Sequence, residues 1–454
     1  MTDMLIPTAA ALVDAAALRP GLLVVPSDER YDEVRTAWNL AVDQRPAAVA
    51  VPESAEDVVA VVRYAGERGL RVSAQATGHN AGPLGDLSDV VLVKTHLMRG
   101  VQIDADRQVA RAEAGALWMD VVEPAAAVGL AALHGSAPDV GVVGYSLGGG
   151  VSWFSRRYGL ASSRVLAVEI VTADGAHVLA DRRQNTDLFW AVRGGGGGFG
   201  IVTHIEFELL EIGAIQSGGL WFPVERAREV LQAWRTWAPA LPDHVSTSAR
   251  ILNVPPIPEA PEALRGKSFA LVLVSVLGDP AEADRHLAGL RAMGPMMDTV
   301  HPTALTEMTE LAMDPPSPVP AVGAHAIFDE LTEEAVDAIV DASTAAGTLV
   351  VSYLTLGGGA SGRRSCDGAV TSMDAPFLFF GAALALPHIA EIAAAEMRGV
   401  EEALAPHASG RAYLNFAERR TDPAALFGEA TLGRLRAIKA TRDPEGRIVG
   451  NHTV

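Results

Sequence analysis

Five glycines in a row, Gly194 to Gly198, constrain this chain more than any other feature of its sequence. Glycine costs about 1 kcal/mol relative to alanine inside a helix and weakens a strand, so such a run is a loop valued for its bare backbone. IVTHIEFELLE follows at 201–211, with apolar and polar side chains alternating as in a half-buried strand. With Phe199 and Gly200 the run satisfies the GxGxxG spelling. A dinucleotide fingerprint, however, needs its glycines to open a helix whose N-terminus holds the pyrophosphate. A strand follows instead, and a Rossmann site is set aside.

A second glycine-rich stretch, 135–150, contains Gly144-Tyr145-Ser146-Leu147-Gly148. This satisfies GxSxG, the turn that exposes a hydrolase serine between a strand and a helix. The preceding DVGVV is short for such a strand, and Gly148-Gly149-Gly150 is a poor start for a helix. A serine hydrolase using Ser146 stays open as an alternative.

Composition removes other classes. The 36 basic and 55 acidic residues give a net charge of −19, so a phosphate backbone or an anionic membrane is repelled over most of the surface. No nucleic-acid partner and no membrane partner are expected. The single cysteine, Cys366, excludes an intramolecular disulfide and cysteine-based zinc clusters, and no metal site is read. MTDMLIPTAAALVDAAALRPG lacks a basic start and places Asp14 in its apolar part, unlike a secretory signal. Phe377 to Leu386 is too short for the roughly 20 residues of a membrane helix. A soluble, cytoplasmic protein is expected. Half of the 454 residues are hydrophobic, enough for two or three lobes with real cores.

Along the chain, residues 47–75 read as strand, helix, strand, the helix opened by a Ser54-Ala55-Glu56-Asp57 capping box and carrying Val58, Val61, Val62 and Ala65 at helical spacing. DVVLV, VQID and VARAEAG read as strands, LWMDVVEPAAAVG as a helix, and LAVEIVTADG and HVLA as strands leading into the glycine run. The mixture argues for α+β, with a first domain at 40–212. From 213 to 409, ERAREVLQAWRTWA, PAEADRHLAGLRAM and TEEAVDAIVDAST read as helices among strand-like FALVLVSVLG, GTLVVSYLTLG and FLFFGAALA, which predicts an antiparallel sheet covered by helices on one face. The tail, 410–454, holds an amphipathic helix with Leu432, Leu435 and Ile438, stopped at Asp443-Pro444.

Taken in order, Gln75-Ala76-Thr77-Gly78-His79-Asn80, PDVGVVGYSLGGG, RRYGLASSRVL, VTADG, DLFWAVRGGGGGFGIVTHIEFEL, AYLNF and RDPEGRIVGNH resemble one family. They are similar to the berberine-bridge-enzyme-like FAD-linked oxidases of the vanillyl-alcohol-oxidase superfamily. The resemblance implies a PCMH-type FAD-binding domain, a substrate domain, and a C-terminal segment that returns to the flavin. It implies FAD in a groove lined by Ala76, Thr77, Gly78, His79, Asn80, Ala137, Val140, Gly141, Gly144, Gly200, Ile201, Asn415 and Asn451, with backbone amides of the glycine loops around the pyrophosphate.

His79 stands where this family attaches an imidazole to the flavin 8α-methyl. The position of a second, cysteine link in some members is here Ala137, so one bond is expected. Val140 occupies the place beside flavin C4a where an aliphatic side chain admits or excludes oxygen. Tyr413 and Asn415 match the family's YxN segment, which can supply a base or orient the substrate, and this makes Tyr413 the candidate base that removes the substrate proton. Relatives with a glutamate on the strand that here reads VVSYLTLGGG use it as a base; this segment offers Tyr353 and Thr355 and no carboxylate. Cys366, in a loop with Arg363, Arg364 and Asp367, is given no reactive role, and Met308, Met313, Trp153 and Phe154 are read as packing. The implied activity is oxidation of an alcohol or amine carbon of a small molecule, with O2 reduced to H2O2. A flavin-loaded binding protein without turnover is the other alternative.

Overall fold

A computed structural model describes residues 18–254, 256, 262, 264–345, 367–373 and 375–454, and the backbone of 351–356. Cys366, Arg363 and Arg364 lie outside these residues, as do the side chains of Tyr353 and Thr355.

The first layer is a sheet of four strands in the order Leu23–Val24, Ala48–Ala50, Val90–Lys94, Arg71–Gln75, the last three parallel. Every residue of Val90–Lys94 is buried, and Val90–Val93 form the continuous apolar run expected of a parallel strand covered on both faces. The crossover helix, Ala55–Glu67, turns Val58, Val61, Val62 and Ala65 onto this sheet. Only half of the expected capping box forms. Ser54 Oγ accepts from the Asp57 amide at 3.2 Å, but the Asp57 carboxylate accepts from the Glu53 amide at 3.0 Å, one residue earlier than the box requires. Residues 18–39, ahead of the boundary read at 40, pack here too: Leu18 and Leu22 join the same core.

Five antiparallel strands form the second layer, in the order Val101–Asp104, Val109–Glu113, Ile201–Glu208, Val165–Val171, His177–Asp181. Ile201–Glu208 is central and alternates buried and half-buried residues from Thr203 on, the pattern read in its sequence. Because it starts directly after Gly200, the glycine run is held at the end of this sheet.

The third layer is an eight-stranded sheet whose main path runs Met297–Asp298, Ile215–Pro223, Ser268–Leu277, Val245–Asn253, Val351–Leu356, Phe377–Leu384, Ala321–Phe328. Helices Ala227–Trp237, Pro280–Ala292, Glu333–Ala345 and Ala390–Leu404 cover one face, with Val230, Trp234, Leu287, Ile339 and Met397 in a common core with Leu220, Phe222, Val272 and Phe379. Strand alternation decides the other face. Val245, Ala249 and Ile251 point to the helices, whereas the intervening Ser246, Ser248 and Arg250 are buried on the opposite side.

The tail ties the layers together. Helix Pro423–Arg442, kinked at Gly428, sets Leu432, Leu435 and Ile438 against Leu188 and Phe189. Lys439 Nζ then donates to the Gly198 carbonyl at 2.5 Å and to the Ile448 carbonyl at 2.7 Å while pairing with Asp443. The Val449 amide bonds the Val72 carbonyl at 2.8 Å, so the last residues lie against the first sheet. No helix among the described residues is long and apolar enough to cross a membrane.

Candidate active site

The three layers and the tail enclose a cavity of ≈ 440 Å³. Ala76, Thr77, Gly78, His79 and Asn80 line it from the loop after the first sheet, and Ala137, Val140, Gly141 and Gly144 from the second glycine stretch. Gly200 lines it from the head of the central strand, Tyr413 and Asn415 from the returning segment, and Asn451 from the last residues. Ile201 is placed elsewhere: it is fully buried in the core with Val72, Val93 and Val171, because strand alternation turns the residue after Gly200 away from the cavity.

His79 is held on three sides. Its Nδ1 lies 2.9 Å from Thr77 Oγ1, its ring stacks on Trp38 with centroids 4.0 Å apart and planes at 17°, and its Nε2 faces Asp139 Oδ1 at 3.4 Å. Trp38 Nε1 donates to the other Asp139 oxygen at 2.5 Å, which fixes the carboxylate against the imidazole. Burial raises the Asp139 pKa, but His79 and the Trp38 N–H outweigh it and hold the carboxyl below its ordinary value. Gly78 makes this turn possible: its φ is +89° and a Cβ there would come within 2.8 Å of the Ala37 Cβ.

Trp38 and Asp139 were not singled out in the sequence. Asp139 stands inside the quoted PDVGVV motif, but its partner Trp38 is 101 residues away, a separation that no periodicity bridges.

Tyr413 rises from the returning segment. Its phenol oxygen accepts from the Gly150 amide at 2.8 Å and from Asn415 Nδ2 at 3.4 Å, and Asn415 Nδ2 also donates to the Tyr145 carbonyl at 3.0 Å. Gly150, at φ +80°, is required, since a Cβ would sit 2.5 Å from the Tyr145 ring. Burial pushes the Tyr413 hydroxyl pKa up, although the Gly150 and Val151 amides and Asn415 act the other way. Tyr413 is therefore a neutral phenol. With its oxygen already accepting, its own proton is what it offers to the cavity.

Ser146 does not form the exposed elbow, and the stretch read as loop is helical: Val142–Leu147 is a helix. Ser146 is buried, and the cavity is lined by its neighbours Gly144, Tyr145 and Leu147 and not by Ser146 itself.

Two of the other ionisable residues on the cavity are Arg156 and Glu418. Arg156 is buried and donates to the carbonyls of Leu241, Pro242 and Val245, anchoring the entry to the strand that carries Ser246 and Ser248. Glu418 is pushed up to about 7 by burial, only partly offset by the Gly323 amide and Arg419. A carboxyl raised from 4.5 to about 7 stabilises the fold fully below pH 4.5 and loses that contribution as pH rises through about 7. Glu418→Gln is expected to remove this dependence. The wild type should lose about 1–3 kcal/mol of unfolding free energy over that window that the variant keeps, measured by urea denaturation at several pH values.

Three buried polar atoms around the cavity lack a well-formed hydrogen bond: Asn80 Oδ1, the Tyr145 hydroxyl and His79 Nε2, whose polar neighbour is Asp139 Oδ1 at 3.4 Å. Native interiors rarely leave such atoms unpaired, and three on one cavity mark a polar ligand. The bare backbones of Gly141, Gly144, Gly196, Gly197 and Gly200 line the same space and leave room for close approach. The residues present fit a long, amide-bound cofactor.

Comparison with known proteins agrees. Residues 46–181 match the family described as FAD binding domain. The chain is 32% identical over 283 residues to (R)-6-hydroxynicotine oxidase of Paenarthrobacter nicotinovorans, an alignment covering 60% of this chain and 58% of the relative. It is 38% identical over 186 residues to glucooligosaccharide oxidase of Sarocladium strictum, covering 40% of this chain and 37% of the relative. The chain thus spans about half the length of the curated relatives it matches. Among solved structures, 6-hydroxy-D-nicotine oxidase from Arthrobacter nicotinovorans superposes with a TM-score of 0.79 at 27% identity, covering 98% of each chain. Physcomitrella patens BBE-like 1 superposes at 0.83 with 19% identity and 97% of each chain, a likeness of fold alone.

The fold and the cavity walls define an α+β protein of the PCMH-type, FAD-binding class. Residues 46–181 carry the FAD-binding match, and over nearly its whole length the chain is similar to 6-hydroxy-D-nicotine oxidase.

Proposed function

We propose that this chain is an FAD-dependent oxidase that carries its flavin on His79 through the 8α-methyl and oxidises an alcohol or amine carbon of a small molecule, with O2 reduced to H2O2. The observation that carries the reading is a glycine-walled cavity bounded by the FAD-binding segment, on which Asn80 Oδ1 and the Tyr145 hydroxyl lack hydrogen-bond partners and His79 Nε2 has only Asp139 Oδ1, 3.4 Å away. When bound, FAD supplies the two-electron chemistry, taking a hydride from the substrate carbon and passing the electrons to O2.

The chain's own residues do the rest. Thr77, Trp38 and Asp139 fix the His79 ring so that no conformational search precedes its use. Glycine backbones receive the negatively charged part of the cofactor, which suits a protein whose surface is otherwise acidic. Ser246, Ser248 and Phe380 line the part of the cavity that the substrate sheet contributes, and Tyr413 lines it from the returning segment. Tyr413 orients the substrate hydroxyl or amine by donating a hydrogen bond from its phenol to it. Val140 lines the cavity at the place assigned to oxygen access.

The test is a screen of sugars, alcohols and cyclic amines, read as peroxide in air and as loss of flavin colour without oxygen. One substrate class should bleach the flavin anaerobically and yield peroxide in air. Bleaching that air does not reverse would make the chain a dehydrogenase, and no bleaching by any class would favour the binding protein.

A further inference from the structure

On the far side of the substrate sheet from the cavity, His244, Glu282 and His286 converge. His244 stands just before strand Val245–Asn253, and Glu282 and His286 lie four residues apart on one face of helix Pro280–Ala292. Both imidazole Nε2 atoms point at the same oxygen, Glu282 Oε1, at 3.0 Å from His244 and 3.2 Å from His286. One potential ligand atom of each residue lies within 4.8 Å of the other two.

We infer that these three residues form a binding site for one divalent transition-metal ion of the zinc class, which clamps the helix to the strand entry. Two imidazoles and a carboxylate are a ligand set that such ions prefer. Metal–ligand bonds of about 2.0–2.2 Å in tetrahedral geometry place neighbouring ligand atoms roughly 3.3–3.5 Å apart, so the two histidine–glutamate spacings of 3.0 and 3.2 Å need only a few tenths of an ångström of expansion, and the two histidines lie within 4.8 Å of each other.

Charge neutrality does not require the two imidazoles. The other Glu282 oxygen already accepts from Arg285 Nη2 at 2.8 Å, an outer contact that holds Oε1 turned towards the histidines. The frame is fixed as well. The His244 carbonyl accepts from the Leu277 amide at 2.9 Å, the His286 carbonyl from Trp237 Nε1 at 3.1 Å, and Asp279 caps the helix through the Glu282 amide at 2.9 Å. The side chains are 22%, 27% and 18% exposed for His244, Glu282 and His286, leaving a path for the ion and room for a water as fourth ligand.

The site has a structural consequence for the cavity. Residues 241–245, which include His244, are the same segment whose carbonyls Arg156 grips from the cavity side. A metal on His244 would fix this segment from the opposite side and, through it, the start of the strand bearing Ser246 and Ser248. The ligands come from two elements 38 residues apart in sequence and include no cysteine, so the sequence offered only the Glu–His pair at helical spacing.

The test uses the flavin-loaded full chain, produced without a polyhistidine tag and freed of metal by chelation, titrated with ZnCl2 by calorimetry and by thermal unfolding. One saturable Zn2+ per chain with a rise in Tm is expected, and His244→Ala, Glu282→Gln and His286→Ala should each weaken that binding at least tenfold or so while keeping the flavin absorbance. If one variant fails to fold, the remaining two decide. No saturable site in the wild type, or a site of unchanged affinity in the folded variants, would overturn the inference.

Discussion

Replacing His79 by alanine is expected to release the flavin completely from acid-precipitated protein, whereas the wild-type pellet stays yellow. The expectation rests on how the ring is held. Thr77 binds one nitrogen, Trp38 covers a face, and Nε2 is left in a buried place with only Asp139 nearby and no well-formed hydrogen bond. Burying a polar nitrogen this way costs free energy unless some group completes it. Alanine removes both nitrogens but none of the glycine backbones, so FAD should still associate from solution and be lost on denaturation. Flavin absorbance of pellet and supernatant gives the answer directly. A yellow His79→Ala pellet would place the link on another residue.

Tyr413→Phe is expected to slow flavin reduction by roughly 100-fold or more while leaving the flavin attached. The substitution keeps the ring, which packs edge-on against Phe416 with centroids 5.2 Å apart, and removes only the hydroxyl. It also leaves the Gly150 amide without its acceptor, which should cost about 1–3 kcal/mol of stability. Stability and rate therefore separate the two roles. Because burial keeps this phenol protonated far above neutral pH, the rate should show no ionisation of Tyr413 between pH 6 and 9 or so. Anaerobic stopped-flow with a good substrate measures the step free of oxygen. A change below about threefold, with normal binding, would reduce Tyr413 to packing.

Much of the fold was legible where side chains face one kind of environment. The crossover helix at 55–67 and the strand after the glycine run show their periods plainly, because one face of each meets solvent or another layer. Ile215–Pro223 and Val245–Asn253 were not read. The first carries Gly218-Gly219 in its middle, and the second places serines at alternate positions that are buried against the cavity, so polarity there does not signal exposure.

The site shows the same division. Residues carried by contiguous motifs line the cavity, while Trp38 lines it from outside them, and the partners of Asp139 and Arg156, both inside quoted motifs, come from distant segments. Ile201 is the converse case: it adjoins a cavity residue in sequence, and the two-residue period of its strand sends it into the core.

The central claim, a single covalent bond between His79 and FAD, is tested most directly by the mass of one tryptic peptide. Cleavage after Arg71 and Lys94 yields Val72–Lys94, which contains His79 and no other basic cleavage site. The account predicts that this peptide is recovered carrying the mass of one flavin adduct, with fragment ions that place it on His79. Recovery of the peptide only at its unmodified mass from yellow, catalytically active protein would contradict it.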